Sequence, residues 1–237
     1  GSTFLIPLYT QSTLGWTAQQ SGALMIPAAL TTAFMMPIIG RLLQKGVKQQ
    51  YLVAIGMIIF FIYSFWAYKI LTPDTGKDAF FWMLIMRGMG LGLLFIPITT
   101  LSLSTLKGQQ IGQGAAFTGM MRQLGGSFGV AAITTYISRQ IMVHRSALVS
   151  HLDINDPAVH ERVTAMQHNF IAKGMTPDVA LSSSYQALDY IISKQATVLS
   201  YMDVFLYLGI MFLICVPFVI FVKENKKQKI DLGEAMH

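Results

Sequence analysis

In the stretch "MMRQLGGSFGVAA", residues 120–132, a guanidinium interrupts a run that otherwise belongs in a bilayer or a tight core. Arg122, and Arg87 in "LIMRGMGLG", carry the chemistry that stands out: a permanent cation with a fork of N–H donors can hold an anion or a hydrogen-bonding ligand in an apolar setting. Carboxylates that could neutralise them are scarce. No Asp or Glu occurs from Gly1 to Pro73 or from Ala79 to Leu152, and the one acid inside an apolar run is Asp203, near the start of the last. The arginines therefore call for water and a ligand, or for partners in a part of the protein outside these 237 residues. A plainer alternative is donation to carbonyls freed near proline and glycine. With Gln11 and Gln123, these three charged residues form the set of substrate or coupling candidates.

Other chemistry finds little support. His144, His151, His160 and His168 lack the short pairs and acidic company of a zinc site and read as solvated, so no metal is expected. "RGMGLG" follows no strand pattern and is not a phosphate loop. Cys215 stands alone, which leaves no internal disulfide. No nucleophile, base or metal constellation converges, so neither an enzyme nor a cofactor is expected.

The elements that must position these residues are membrane spans. The chain is 53% hydrophobic and only 12% charged, with a mean hydropathy of +0.52, against roughly 25% charged in an average soluble domain. Runs long enough to cross a bilayer extend from Ser21 to Leu43, Tyr51 to Leu71, Ala79 to Leu103, Gly112 to Ile137 and Val198 to Val222. These predict an all-α integral membrane protein with five complete spans, preceded by a truncated span, Thr3 to Trp16, that is not a signal peptide. The division expected is 1–139 for the first spans, 140–197 for an extracytoplasmic helical loop, 198–222 for the last span and 223–237 for a cytoplasmic tail.

Basic residues set the orientation. Arg41, Lys45 and Lys48, the connection near Lys107, and Lys223, Lys226, Lys227 and Lys229 fall on one side, which should be cytoplasmic. The net charge of +6 is thus a matter of topology, and no nucleic-acid partner is expected. In the long outer segment, Asp156 and Pro157 open one amphipathic helix that Gly174 stops, and Thr176 and Pro177 open a second that runs into the last span. It either caps the outer mouth, offers a surface to a partner protein, or simply joins two spans. Gly88 and Gly92, and Gly125 and Gly129, have the GxxxG spacing of close helix packing, and Gly119 and Gly126 share the stripe from which Arg122 emerges. That stripe should turn Arg122 into protein rather than lipid. Prolines 27, 37, 97 and 217 predict bent or broken helices.

The segments "FLIPLYTQSTLGWTAQQSGALMIPAALTTAFMMPIIGRLLQKG", "RGMGLGLLFIPITTLSLS", "GAAFTGMMRQLGGSFGVAAITT" and "KQATVLSYMDVF" follow one another in an order that resembles the C-terminal half of fourteen-span drug/proton antiporters of the major facilitator superfamily, the multidrug-resistance protein B type. "RQLGGSFG" and "QATVLSYMDVF" are the most specific pieces. The resemblance implies spans nine to fourteen of a proton-coupled multidrug exporter of the inner (plasma) membrane, working by alternating access. Its partners would be the missing N-terminal half, lipid, small-molecule drugs and protons, and a periplasmic adaptor protein. The superfamily's cytoplasmic loop motif is kept at Gly40, Arg41, Gly46 and Lys48, but Gln44 stands where an acid is expected. The antiporter signature and usual membrane carboxylates of the family belong to the other half, so proton coupling is assigned to no residue here. Two alternatives are a same-fold exporter of an anionic metabolite or lipid, and a non-transporting scaffold that binds a periplasmic partner.

Overall fold

The structure is a computed structural model and describes residues 2–72, 76–103, 106, 108, 110–150 and 157–221. Asp156, His151, Lys107 and the basic tail lie outside the described residues. Every regular element among the described residues is a helix: α1 (Ser2–Ser12), α2 (Ala18–Gln44), α3 (Gln49–Ile70), α4 (Lys77–Leu103), α5 (Gln110–Ser150), α6 (Pro157–Ala172) and α7 (Pro177–Phe221).

Local chemistry sets the helix ends. Thr17 caps α2 reciprocally: its hydroxyl accepts from the Gln20 backbone N–H at 3.2 Å while its own N–H donates to Gln20 Oε1 at 3.1 Å. At the other end Gly46 turns to φ +83°, and Gly46 N–H and Val47 N–H close onto Leu43 and Leu42 carbonyls. Gly174, at φ +93°, ends α6 in the same way. Pro27, Pro37, Pro97 and Pro217 all lie inside helices that continue past them, so none of the four breaks its helix.

Four helices among the described residues, α2, α3, α4 and α7, are long and apolar enough to cross a membrane. The fifth expected span, α5, has ample length at 41 residues but is less apolar. Its glycines, hydroxyl side chains, Arg122 and Gln123 dilute the apolar residues. In the packing α5 contacts α7, α7 contacts α3, α3 contacts α4 and α4 contacts α2; α5 also touches α4, α6 lies on α7, and α1 touches α2 and α7. Tyr9, Phe60, Tyr63, Phe80, Met83, Leu84 and Phe205 fill the centre and are fully or almost fully buried. Outward, α2 shows Ile26, Leu30, Phe34 and Ile38 at helical spacing, and α7 shows Met211, Ile214 and Phe218. Hydrocarbon can cover such faces where water cannot.

Small residues allow the closest approaches. A Cβ on Gly88 would lie 2.5 Å from the Ala28 carbonyl oxygen, and one on Gly92 would lie 2.9 Å from Met35 Cβ, so α4 sits against α2 where both glycines meet it. The Thr32 hydroxyl, 2.9 Å from Ala28 O and 3.0 Å from Gly88 O, bridges the same contact. Beyond the apolar runs the helices continue: α5 extends past residue 139 to Ser150 without interruption, and α7 enters the last apolar run from Pro177 as one 45-residue helix.

Candidate functional site

The two arginines occupy opposite environments. Arg87, 3% exposed, is enclosed where α4 packs between α2 and α3; its Nη1 donates to Met25 Sδ at 3.3 Å, and its Nε has no partner. The Tyr63 hydroxyl on α3 is likewise buried without a hydrogen-bond partner. Arg122 is exposed. Its guanidinium stacks 4.5 Å from the Phe95 ring centroid and donates to Thr99 Oγ1 at 3.3 Å, so α4 supplies one aromatic face and one hydroxyl. The ion pairs among the described residues, His144–Asp203 and Arg145–Asp189, involve neither arginine.

Around Arg122 the face of α5 is open. A Cβ on Gly119, Gly125, Gly126 or Gly129 would meet nothing within 4 Å, and Phe117, Met120, Leu124 and Phe128 are exposed on the other side of the same helix. Gly126 and Gln123 line a groove of about 780 Å³ between α5 and α1, with Thr3, Phe4 and Pro7 opposite. Gln11, exposed near the end of α1, is not among its lining residues. The structure therefore gathers Arg122, Gln123 and the α5 glycines on one uncovered surface and puts Arg87 elsewhere. At the end of α2 Arg41 is exposed and Gly40 half-buried, and in the loop that follows Gly46 and Lys48 are exposed, with Lys48 Nζ 5.6 Å over the Tyr51 ring.

Asp203 forms an ion pair with neither Arg87 nor Arg122. It is half-buried and accepts from or donates to His144 Nε2 at 2.7 Å, according to protonation, and accepts from Gln140 Nε2 at 3.4 Å. His144 is thus paired across α5 and α7 rather than solvated. A partner 59 residues away in sequence leaves no mark in the spacing of the histidines. The signal that could have found it is the polar row Tyr136, Gln140, His144 at intervals of four, opposite Asp203 and Tyr207 at the same interval.

Comparison with known proteins agrees with this architecture. Residues 1–130, more than half of the 237, match the model of the Major Facilitator Superfamily. The fatty acid resistance protein FarB of Neisseria gonorrhoeae is 26% identical, aligned over 92% of this chain and 41% of its own length. An uncharacterized MFS-type transporter of Bacillus subtilis, YhcA, is 27% identical over 96% of this chain and 42% of its own. The multidrug export protein EmrB of Escherichia coli is 25% identical over 94% and 42%. The chain spans about two fifths of the length of these relatives.

Proposed function

The chain belongs to the Major Facilitator Superfamily, a multi-pass membrane transporter family and not an enzyme family, and from that premise we infer that it is the C-terminal half of a proton-coupled multidrug exporter of the inner membrane. The observation that carries this reading is the uncovered face of α5. A helix whose four glycines face open space, beside an exposed Arg122 that rests on Phe95 and Thr99, is suited to meet a second bundle across a central cavity, as alternating access requires. The relatives' lengths support the same view, since each has room for a second bundle that this chain lacks. Arg122 and Gln123 would then face the cavity or the other half, the glycines would let the bundles approach, and Gly40, Arg41, Gly46 and Lys48 would lie on the cytoplasmic side.

A second reading, export of a fatty acid or similar anionic lipid, draws on the name of the Neisseria relative and on Arg122 as an exposed cation with no carboxylate partner among the described residues. The full-length protein in proteoliposomes under an imposed proton gradient separates the two. Accumulation of a lipophilic cation that collapses when the gradient is discharged is the expected result. Movement of a long-chain fatty acid alone would replace the first reading with the second, and movement of neither would sink both.

A further inference from the structure

The polar row that ties α5 to α7 has the parts of a proton-binding site. Tyr136, Gln140 and His144 lie one above another on α5, and Asp203 and Tyr207 do so on α7. His144 Nε2 stands 2.7 Å from Asp203 Oδ2. The Gln140 amide has two N–H groups, which serve Asp203 Oδ2 at 3.4 Å and the Tyr136 hydroxyl at 2.9 Å at once. The Tyr136 ring meets Tyr207 edge-on at 5.1 Å, closing the row. From α1, Ser12 comes within 3.3 Å of the Tyr201 hydroxyl, two residues before Asp203, and the Tyr9 ring packs on Tyr201 at 5.2 Å. A half-buried carboxylate and imidazole between helices are costly unless each satisfies the other.

A neighbouring pair shows what is special here. Arg145 Nη2 meets Asp189 Oδ1 at 2.6 Å between the same two helices, but both side chains are about half exposed and arginine keeps its charge at any physiological pH. Histidine changes charge between about pH 5 and 8. One contact is therefore permanent and the other conditional.

We propose that His144 and Asp203, with Gln140, form a proton-binding clasp that sets how tightly α5 is held against α7. A proton from solution adds to the unoccupied ring nitrogen, Nδ1 when Nε2–H faces the carboxylate; no bond to carbon changes, and the neutral imidazole becomes a cation. The contact then passes from a hydrogen bond between a neutral donor and a carboxylate to a full ion pair. Because α5 packs mainly on α7, this row governs the position of the helix that carries Arg122. On the orientation adopted under Proposed function, on which this last step rests, the clasp faces the outer, acidic side of the membrane and closes there.

Spin labels on Met142→Cys and Tyr190→Cys, both exposed and outside the row, report the separation of the two helices in the full-length protein carrying Cys215→Ala. The mean distance should shorten by on the order of 2 Å as pH falls from about 8 to about 5. His144→Gln and Asp203→Asn should each abolish the response, and Arg145→Ala should leave it intact. A response that persists in His144→Gln, or is missing from the parent, overturns the clasp. Transport assayed on the same samples keeps the two ideas apart. Labels that respond in a protein moving no compound uphold the clasp and defeat the exporter reading, whereas transport with unresponsive labels does the reverse.

Discussion

At the scale of single residues, two arginines alike in sequence context differ in what holds them. Arg122 rests on Phe95 and Thr99 at an open surface, so its planar donor fork is available to a ligand or a second bundle. In the full-length protein Arg122→Lys should lower transport nearly as much as Arg122→Ala, on the order of tenfold, the rate equivalent of about 1.4 kcal/mol, with surface expression near normal. Normal transport in both variants would make Arg122 a structural residue. Arg87 is enclosed beside the Met25 sulfur without a carboxylate. An apolar residue of similar length can replace a buried charge at little cost, whereas truncation leaves a cavity. Thermal unfolding in detergent should therefore show Arg87→Met at or above the parent's stability and Arg87→Ala about 2 kcal/mol or more below it. The sequence exposed both arginines as anomalies, but only packing could separate them, because burial depends on which helices come to lie against α4.

At the scale of elements, the same GxxxG spacing has two outcomes. Gly88 and Gly92 meet α2 at distances a side chain cannot share, while Gly125 and Gly129 face open space. Gly88→Leu should destabilise the isolated chain by about 1–3 kcal/mol through overpacking. Gly126→Leu should change its stability by less than about 0.5 kcal/mol yet reduce transport in the full-length protein, where α5 would meet a second bundle. Equal stability losses from the two substitutions would deny that the α5 face is free. Helix starts were legible at Pro157 and Pro177, and a stop at Gly174, because these residues act through their own backbone geometry. The pairing of His144 with Asp203 was not, since periodicity reports the face of one helix and says nothing of what the facing helix brings. The reach of α5 to Ser150 was also hidden: its apolar run stops near Ile137, and hydropathy measures solvent preference, not helicity.

At the scale of the whole molecule, α5 and α7 continue well past the length a bilayer requires. Forty-five residues of α7 extend about 68 Å at about 1.5 Å per residue, against a hydrocarbon core of about 30 Å. The excess of α5 and α7, with α6, forms a helical extension pinned by Arg145–Asp189 and by the Gln167 amide on the Pro177 carbonyl. On the proposed orientation, single cysteines at Lys45 and Ser182, without Cys215, should be labelled from opposite sides of the membrane by an impermeant maleimide; labelling from one side only would refute the alternation of spans. One further consequence concerns biosynthesis. Since α5 is the least apolar of the long helices and leans mainly on α7, it emerges from the ribosome before the partner that shelters it has been made. A nascent α5 therefore has weak reason to leave the insertion channel for lipid, and a chain halted at residue 176 should hold it loosely, extractable at alkaline pH, until completion of α7 draws both helices into the bilayer together.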